Sequence, residues 1–153
     1  SYTPQGSNAE SSSAFGGTFT GVEGLSVSYG VGDDNSTAND TDATSLKASY
    51  AYGPVTIDYS DHEFDTNAAN GDQEMTSYKV SYTVSDELSI SYGSETIEET
   101  GHTQDTENSK ISISYTAGGM TLTASSAETE NSNGGTQATA DRETWALGAS
   151  FAF

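Results

Sequence analysis

Apolar and small polar residues alternate with period two through most of the chain. In the last stretch, 143–153, Trp145, Leu147, Ala149, Phe151 and Phe153 fall on one side and Thr144, Ala146, Gly148, Ser150 and Ala152 on the other. Leu25, Val27, Tyr29 and Val31 alternate with Ser26, Ser28 and Gly30. Leu46, Ala48, Tyr50 and Tyr52 oppose Ser45, Lys47, Ser49 and Ala51, and Val55, Ile57 and Tyr59 oppose Thr56, Asp58 and Ser60. The pattern returns with Tyr78, Val80, Tyr82 and Val84 against Lys79, Ser81 and Thr83, then Leu88, Ile90 and Tyr92 against Ser89, Ser91 and Gly93. It closes with Ile111, Ile113 and Tyr115 against Ser112 and Ser114, and Met120, Leu122 and Ala124 against Thr121, Thr123 and Ser125. With a weaker strand over 14–20, where Phe15 and Phe19 share a face across Gly17, nine strands are predicted. The fold class is all-β.

The connections alternate as well. Turns at 21–24, 53–54, 85–87 and 118–119 are short, while 32–43, 61–73, roughly 95–108 and roughly 127–142 read as long polar loops. Strict alternation of short and long connections predicts an antiparallel meander with every long loop at one end. Of the 23 acids, 18 lie in or beside those four loops, so that end is strongly negative. Tyr50, Tyr52, Tyr82 and Tyr115 lie on apolar faces near the short turns, where an aromatic girdle would meet a membrane interface. A stretch of about 9 to 11 residues is what a tilted strand needs to cross a bilayer. A two-layer soluble sandwich would show a thicker and less Ser-rich buried surface.

Nine antiparallel strands cannot close on themselves. Either 14–20 is no strand, leaving a standalone eight-stranded barrel, or the chain is the last nine strands of a larger barrel. The second alternative is the expectation, because 14–20 has both aromatic alternation and a proper turn after it. Residues 1–13 then read as the remnant of an extracellular loop and 14–153 as the C-terminal part of the barrel.

The formal charge of -19, from 23 acids and 4 Lys plus Arg, disfavours nucleic acid and anionic surfaces as partners. The absence of Cys removes disulfides and thiolate chemistry. No run of eighteen apolar residues is present, so a helical membrane span is excluded.

The alternation, the short turns and the Trp145, Leu147, Phe151, Phe153 ending resemble the C-terminal portion of a Gram-negative general porin of the alphaproteobacterial type. The resemblance covers about 14–153. It implies a sixteen-stranded antiparallel transmembrane β-barrel in the cell outer membrane, assembled as a homotrimer. It also implies that the last strand, through those four residues, is the signal read by the barrel assembly machinery. The function implied is a water-filled channel for passive diffusion of ions and small hydrophilic solutes. The alternative is a standalone eight-stranded structural or adhesive outer-membrane barrel, or an acidic secreted β-domain.

No catalytic constellation is legible, and no enzyme is expected. His62 and His102 stand in polar segments without cysteine partners, and no Ser occupies a nucleophile elbow. Asp33, Asp34, Asn35, Asp40 and Asp42 offer oxygen ligands for weak calcium binding, without the spacing and central Gly of an EF-hand. No other cofactor is expected. The candidate pore-lining residues are the small polar face: Lys47, Asp58, Lys79, Lys110, Ser49, Ser81, Ser89, Ser91, Ser112, Ser114, Thr121 and Thr123. Lys47, Lys79 and Lys110, with Arg142, form a basic side of that wall. Expected partners are outer-membrane lipid, other copies, and the remainder of a parent porin chain.

Overall fold

β-Branched, aromatic and hydroxyl residues at alternating positions form extended strands, and turn residues set where they reverse. The structure, a computed structural model, describes residues 1–4, 11–36, 39–132 and 141–152. It contains ten strands: β1 (Tyr2–Thr3), β2 (Ser12–Val22), β3 (Leu25–Ser36), β4 (Asn39–Tyr52), β5 (Val55–Thr66), β6 (Gln73–Thr83), β7 (Leu88–Glu99), β8 (Thr106–Ala117), β9 (Met120–Glu130) and β10 (Arg142–Phe151). They form one sheet in sequence order, every neighbour antiparallel. Two turns need glycine. Gly24, at φ 76°, turns β2 into β3, and a Cβ there would overlap the Ala51 carbonyl oxygen. Gly118 and Gly119, at φ 57° and 80°, turn β8 into β9.

The sheet is open. Among the described residues β10 pairs with β9 alone and β1 with β2 alone, so the two edges do not meet. That corrects the expected sixteen-stranded transmembrane barrel with nine of its strands here: there are ten strands, and they do not close. An open sheet encloses no column of water. The expectation that this chain forms a water-filled channel is therefore overturned, and with it the reading of its strands as a transmembrane channel wall. The eight-stranded barrel is excluded by the same geometry.

The polar loops are also shorter than expected. β3, β4, β5, β7, β8 and β9 all continue into segments read as loop: Asp33 still registers with Asp42, Glu63 with Glu74, and Glu107 with Glu130. The physical reason is that alternation reports a difference between two faces. Where both faces meet water the strand persists but its hydrophobic period fades.

The sheet is a single layer with no core. No described residue is buried, and no polar side chain is buried. Register carries a consistent face across all ten strands, because directly opposed residues point the same way. One face holds nearly all the exposed large apolar side chains, from Phe15, Tyr50 and Ile57 to Trp145 at 81% and Leu147 at 76% exposure. Only Phe64 among them lies on the other face of a strand.

Candidate functional site

Two faces of different chemistry are the feature that any function must use. On the apolar face the hydrophobic band does not follow the hydrogen-bonded rows. Ser28, at the centre of the apolar stretch of β3, registers through Lys47, Ser60, Ser77, Glu95 and Asn108 with Thr129 of β9. The apolar stretch of β9 is instead centred on Leu122, seven residues nearer the turn end. Seven residues along and six strands across are about 24 Å by about 29 Å. A level band therefore needs strands tilted by about 40°, inside the range for outer-membrane sheets.

Beyond the band, on the same face, stand the acids. Asp33, Asp42 and Asp65 oppose one another across β3, β4 and β5, and Glu63, Glu74 and Glu98 across β5, β6 and β7. Glu107 opposes Glu130, and Glu128 opposes Glu143. Like charges directly opposite across strands repel. The Glu98 carboxylate, followed by desolvation and by Asp61 and Glu63, raises Glu74 above its ordinary value of 4.5. Glu63, Asp65, Asp72, Glu74, Glu98 and Asp105 surround an open depression of about 280 Å³ at this end. Among the described residues no group of three or more His, Cys, Asp or Glu is arranged to hold a metal ion.

The opposite face is polar. All twelve candidate wall residues lie on it: Lys47 and Ser49 on β4, Asp58 on β5, Lys79 and Ser81 on β6, Ser89 and Ser91 on β7, Lys110, Ser112 and Ser114 on β8, Thr121 and Thr123 on β9. Row by row they form hydroxyl ladders, as in Thr56, Ser81, Ser91, Ser112 and Ser125. Ser49 donates to Asp58 at 2.6 Å, and the hydroxyls of Ser60 and Ser77 bond at 2.8 Å. Residues that the sequence did not single out complete it. Thr129 donates to Asn108 at 2.8 Å, and Asn108 donates to Glu95 at 3.2 Å. His62 also faces this way, registered with Ser45 and Met75, while His102 pairs with Glu99 at 2.8 Å near the acidic end.

All four Lys and Arg side chains are on this polar face. Lys47, Lys79, Lys110 and Arg142 lie on β4, β6, β8 and β10, in two adjacent rows across the middle of the sheet. The acids on the strands divide the other way, most of them sharing the apolar face. Seen singly, Lys47, Lys79 and Lys110 could be assigned a face from alternation; their alignment on alternate strands needs the register. Of the expected assembly residues, Trp145, Leu147 and Phe151 stand on the apolar face of β10, and Phe153 lies outside the described residues.

No curated protein matches the chain. The crystal structure of Pseudomonas aeruginosa OccK8 (OprE) is similar with a TM-score of 0.59 at 12% identity, covering 90% of this chain and 47% of that one. The chain thus spans about half the length of that structure, a likeness of fold. The KdgM porin aligns over 94% of this chain and 92% of its own, at 14% identity and a TM-score of 0.30. A family model described as "Gram-negative porin" matches residues 1–99, and the chain belongs to that family.

Proposed function

We propose that this protein is a structural surface component of the bacterial outer membrane, its apolar face against lipid and its polar face against water. The chain is not an enzyme; the porin family is non-enzymatic. The observation that carries the reading is the uncovered apolar band. A single-layer sheet in which no described residue is buried has no interior of its own, so its apolar side chains leave water only by meeting another apolar phase. The apolar side chains run across the sheet from Phe15 on β2 to Phe151 on β10, an extent suited to a lipid phase. Aromatic residues near the turns, Tyr50, Tyr52, Tyr82 and Tyr115, suit the interface between lipid and water. The acidic end then stands outside, where an adhesive role is open to it.

The proposed partners rest on the family relation and not on the geometry of the sheet. Lipid covers the apolar face, assembly with other copies gives a homotrimer, and the strand Arg142–Phe151, through Trp145, Leu147 and Phe151, is presented to the barrel assembly machinery. The serines and threonines of the polar face keep it wet. Cell fractionation tests the reading. The protein should sediment with outer membranes and resist alkaline extraction, and the purified chain should produce no conductance steps in planar bilayers. Release as a soluble protein would favour a secreted β-domain, and discrete conductance steps would refute the non-channel reading.

A further inference from the structure

The polar face changes character toward the acidic end. His62 of β5 stands directly opposite Met75 of β6, and Met75 directly opposite Ile97 of β7. Phe64, two residues beyond His62, is diagonal to Met75. His62, Met75 and Ile97 are half-buried. They make a small apolar island on a face built mainly of hydroxyl, small and charged residues. Of the two methionines in the chain, Met120 lies on the apolar face, registered with Phe151, so Met75 is the thioether on the wet side.

Directly opposed side chains have Cβ atoms about 4.5–5.5 Å apart, and the unbranched Met side chain has about three rotatable bonds. An imidazole nitrogen and a thioether sulfur at these two positions can therefore reach one ion between them, through bonds of about 2.0–2.3 Å. The imidazole is available for it. Among the described residues His62 takes part in no hydrogen bond or ion pair, whereas His102 is held by Glu99 at 2.8 Å. His62 also borders open space, a depression of about 450 Å³ that Gly16, Gly30 and Ser45 line with it.

We propose that His62 and Met75 together bind a soft monovalent cation, Cu(I) or its analogue Ag(I). Ligand softness selects the ion. A thioether favours Cu(I) and imidazole suits copper too, while Ca²⁺ and Mg²⁺ take oxygen ligands. A structural zinc would need four ligands, and the chain has no cysteine to add. Ser45, opposite His62, and Glu95, diagonal to Met75 and already accepting from Asn108 at 3.2 Å, are hard oxygen donors. Phe64 and Ile97 supply the apolar shell that limits water at the sulfur. The charge of -19 concentrates cations around the whole chain. The site goes beyond the structural role proposed above and rests on that reading only in requiring the polar face to be wet.

The test uses the full chain, carbon-13 labelled in its methionine methyl groups and folded in detergent micelles in chloride-free buffer. Its two methionines give two signals, with Met120 as the internal control. One equivalent of Ag(I), a redox-stable stand-in for Cu(I), should shift the Met75 signal saturably and leave that of Met120 in place. Cu(I), kept reduced under nitrogen, should compete for the site, and Zn(II) should not. His62→Gln should weaken Ag(I) binding at least about tenfold, since even groups behind the ligands are worth about 10–100-fold, and His102→Gln should leave it unchanged. Met75→Leu keeps the apolar island but should abolish the one-equivalent step in calorimetry, with an unchanged amide spectrum showing that the sheet is intact. A Met75 signal unmoved by Ag(I), both methionine signals moving together, equal competition by Zn(II), or undiminished affinity in His62→Gln would overturn the proposal. Fractionation is independent of this titration, so failure of the membrane reading and failure of the site are separately visible.

Discussion

A lysine placed at Ile113 should destabilise the protein in lipid far more than one placed at Ser112. Ile113 is the middle residue of the apolar stretch of β8, flanked by Ile111 and Tyr115, in a row with Tyr82, Ile90, Ala124 and Leu147. The apolar stretch of β10 runs from Trp145 to Phe151, six residue steps or about 20 Å along the strand. Tilted by about 40°, it rises about 16 Å between backbone levels, and its side chains extend it toward the band of about 25 Å found on outer-membrane sheets. Ile113 stands at mid-height, where a lysine against lipid costs about 2–4 kcal/mol; Met120, at the turn end, should cost only about 0–1 kcal/mol. Ser112 points to water and should cost almost nothing. Urea unfolding of the refolded chain in lipid vesicles measures all three. Equal shifts for Ile113→Lys and Ser112→Lys, or a larger shift for Met120→Lys, would refute the lipid assignment of this face.

Other outcomes follow from the acidic end and the turns. Because the folded pKa of Glu74 is raised, its protonation favours the folded state: that contribution is fully present below the ordinary value of 4.5 and lost as pH rises through the folded pKa. Mild acid should therefore raise the urea midpoint, and Glu74→Gln should raise it at neutral pH while flattening its pH dependence; an unchanged slope would show that Glu98 and Glu63 do not act on it. Gly24→Ala should destabilise the chain by more than about 1 kcal/mol, since its φ of 76° disfavours a side chain and the Ala51 carbonyl blocks one. Hydrogen exchange should show the loss at the β2–β3 hairpin and the adjoining end of β4, and protection equal to the parent there would contradict it.

Much of this was legible in the sequence because alternation is a direct record of two different environments. Tyr82 against Ser81 and Ile113 against Ser112 identify their faces without any structure. Where the environments become alike the record stops, which is why Asp33, Glu63 and Glu107 read as loop although they stand in hydrogen-bonded rows. Register was not legible, so Glu74 could not be placed between Glu63 and Glu98, nor Gly93 between Lys79 and Lys110. Closure was not legible either. Strand parity argues about whether edges can meet, but only backbone pairing shows that those of β1 and β10 do not.

Paired spin labels at Tyr82 and Ser81 test the central claim most directly. The two residues are adjacent on β6, on opposite faces of the sheet, with Tyr82 47% exposed. In lipid vesicles the label at 82 should be relaxed by oxygen dissolved in the bilayer and the label at 81 by a water-soluble nickel chelate. Both labels responding to the chelate alone would place the apolar face in water and contradict the account.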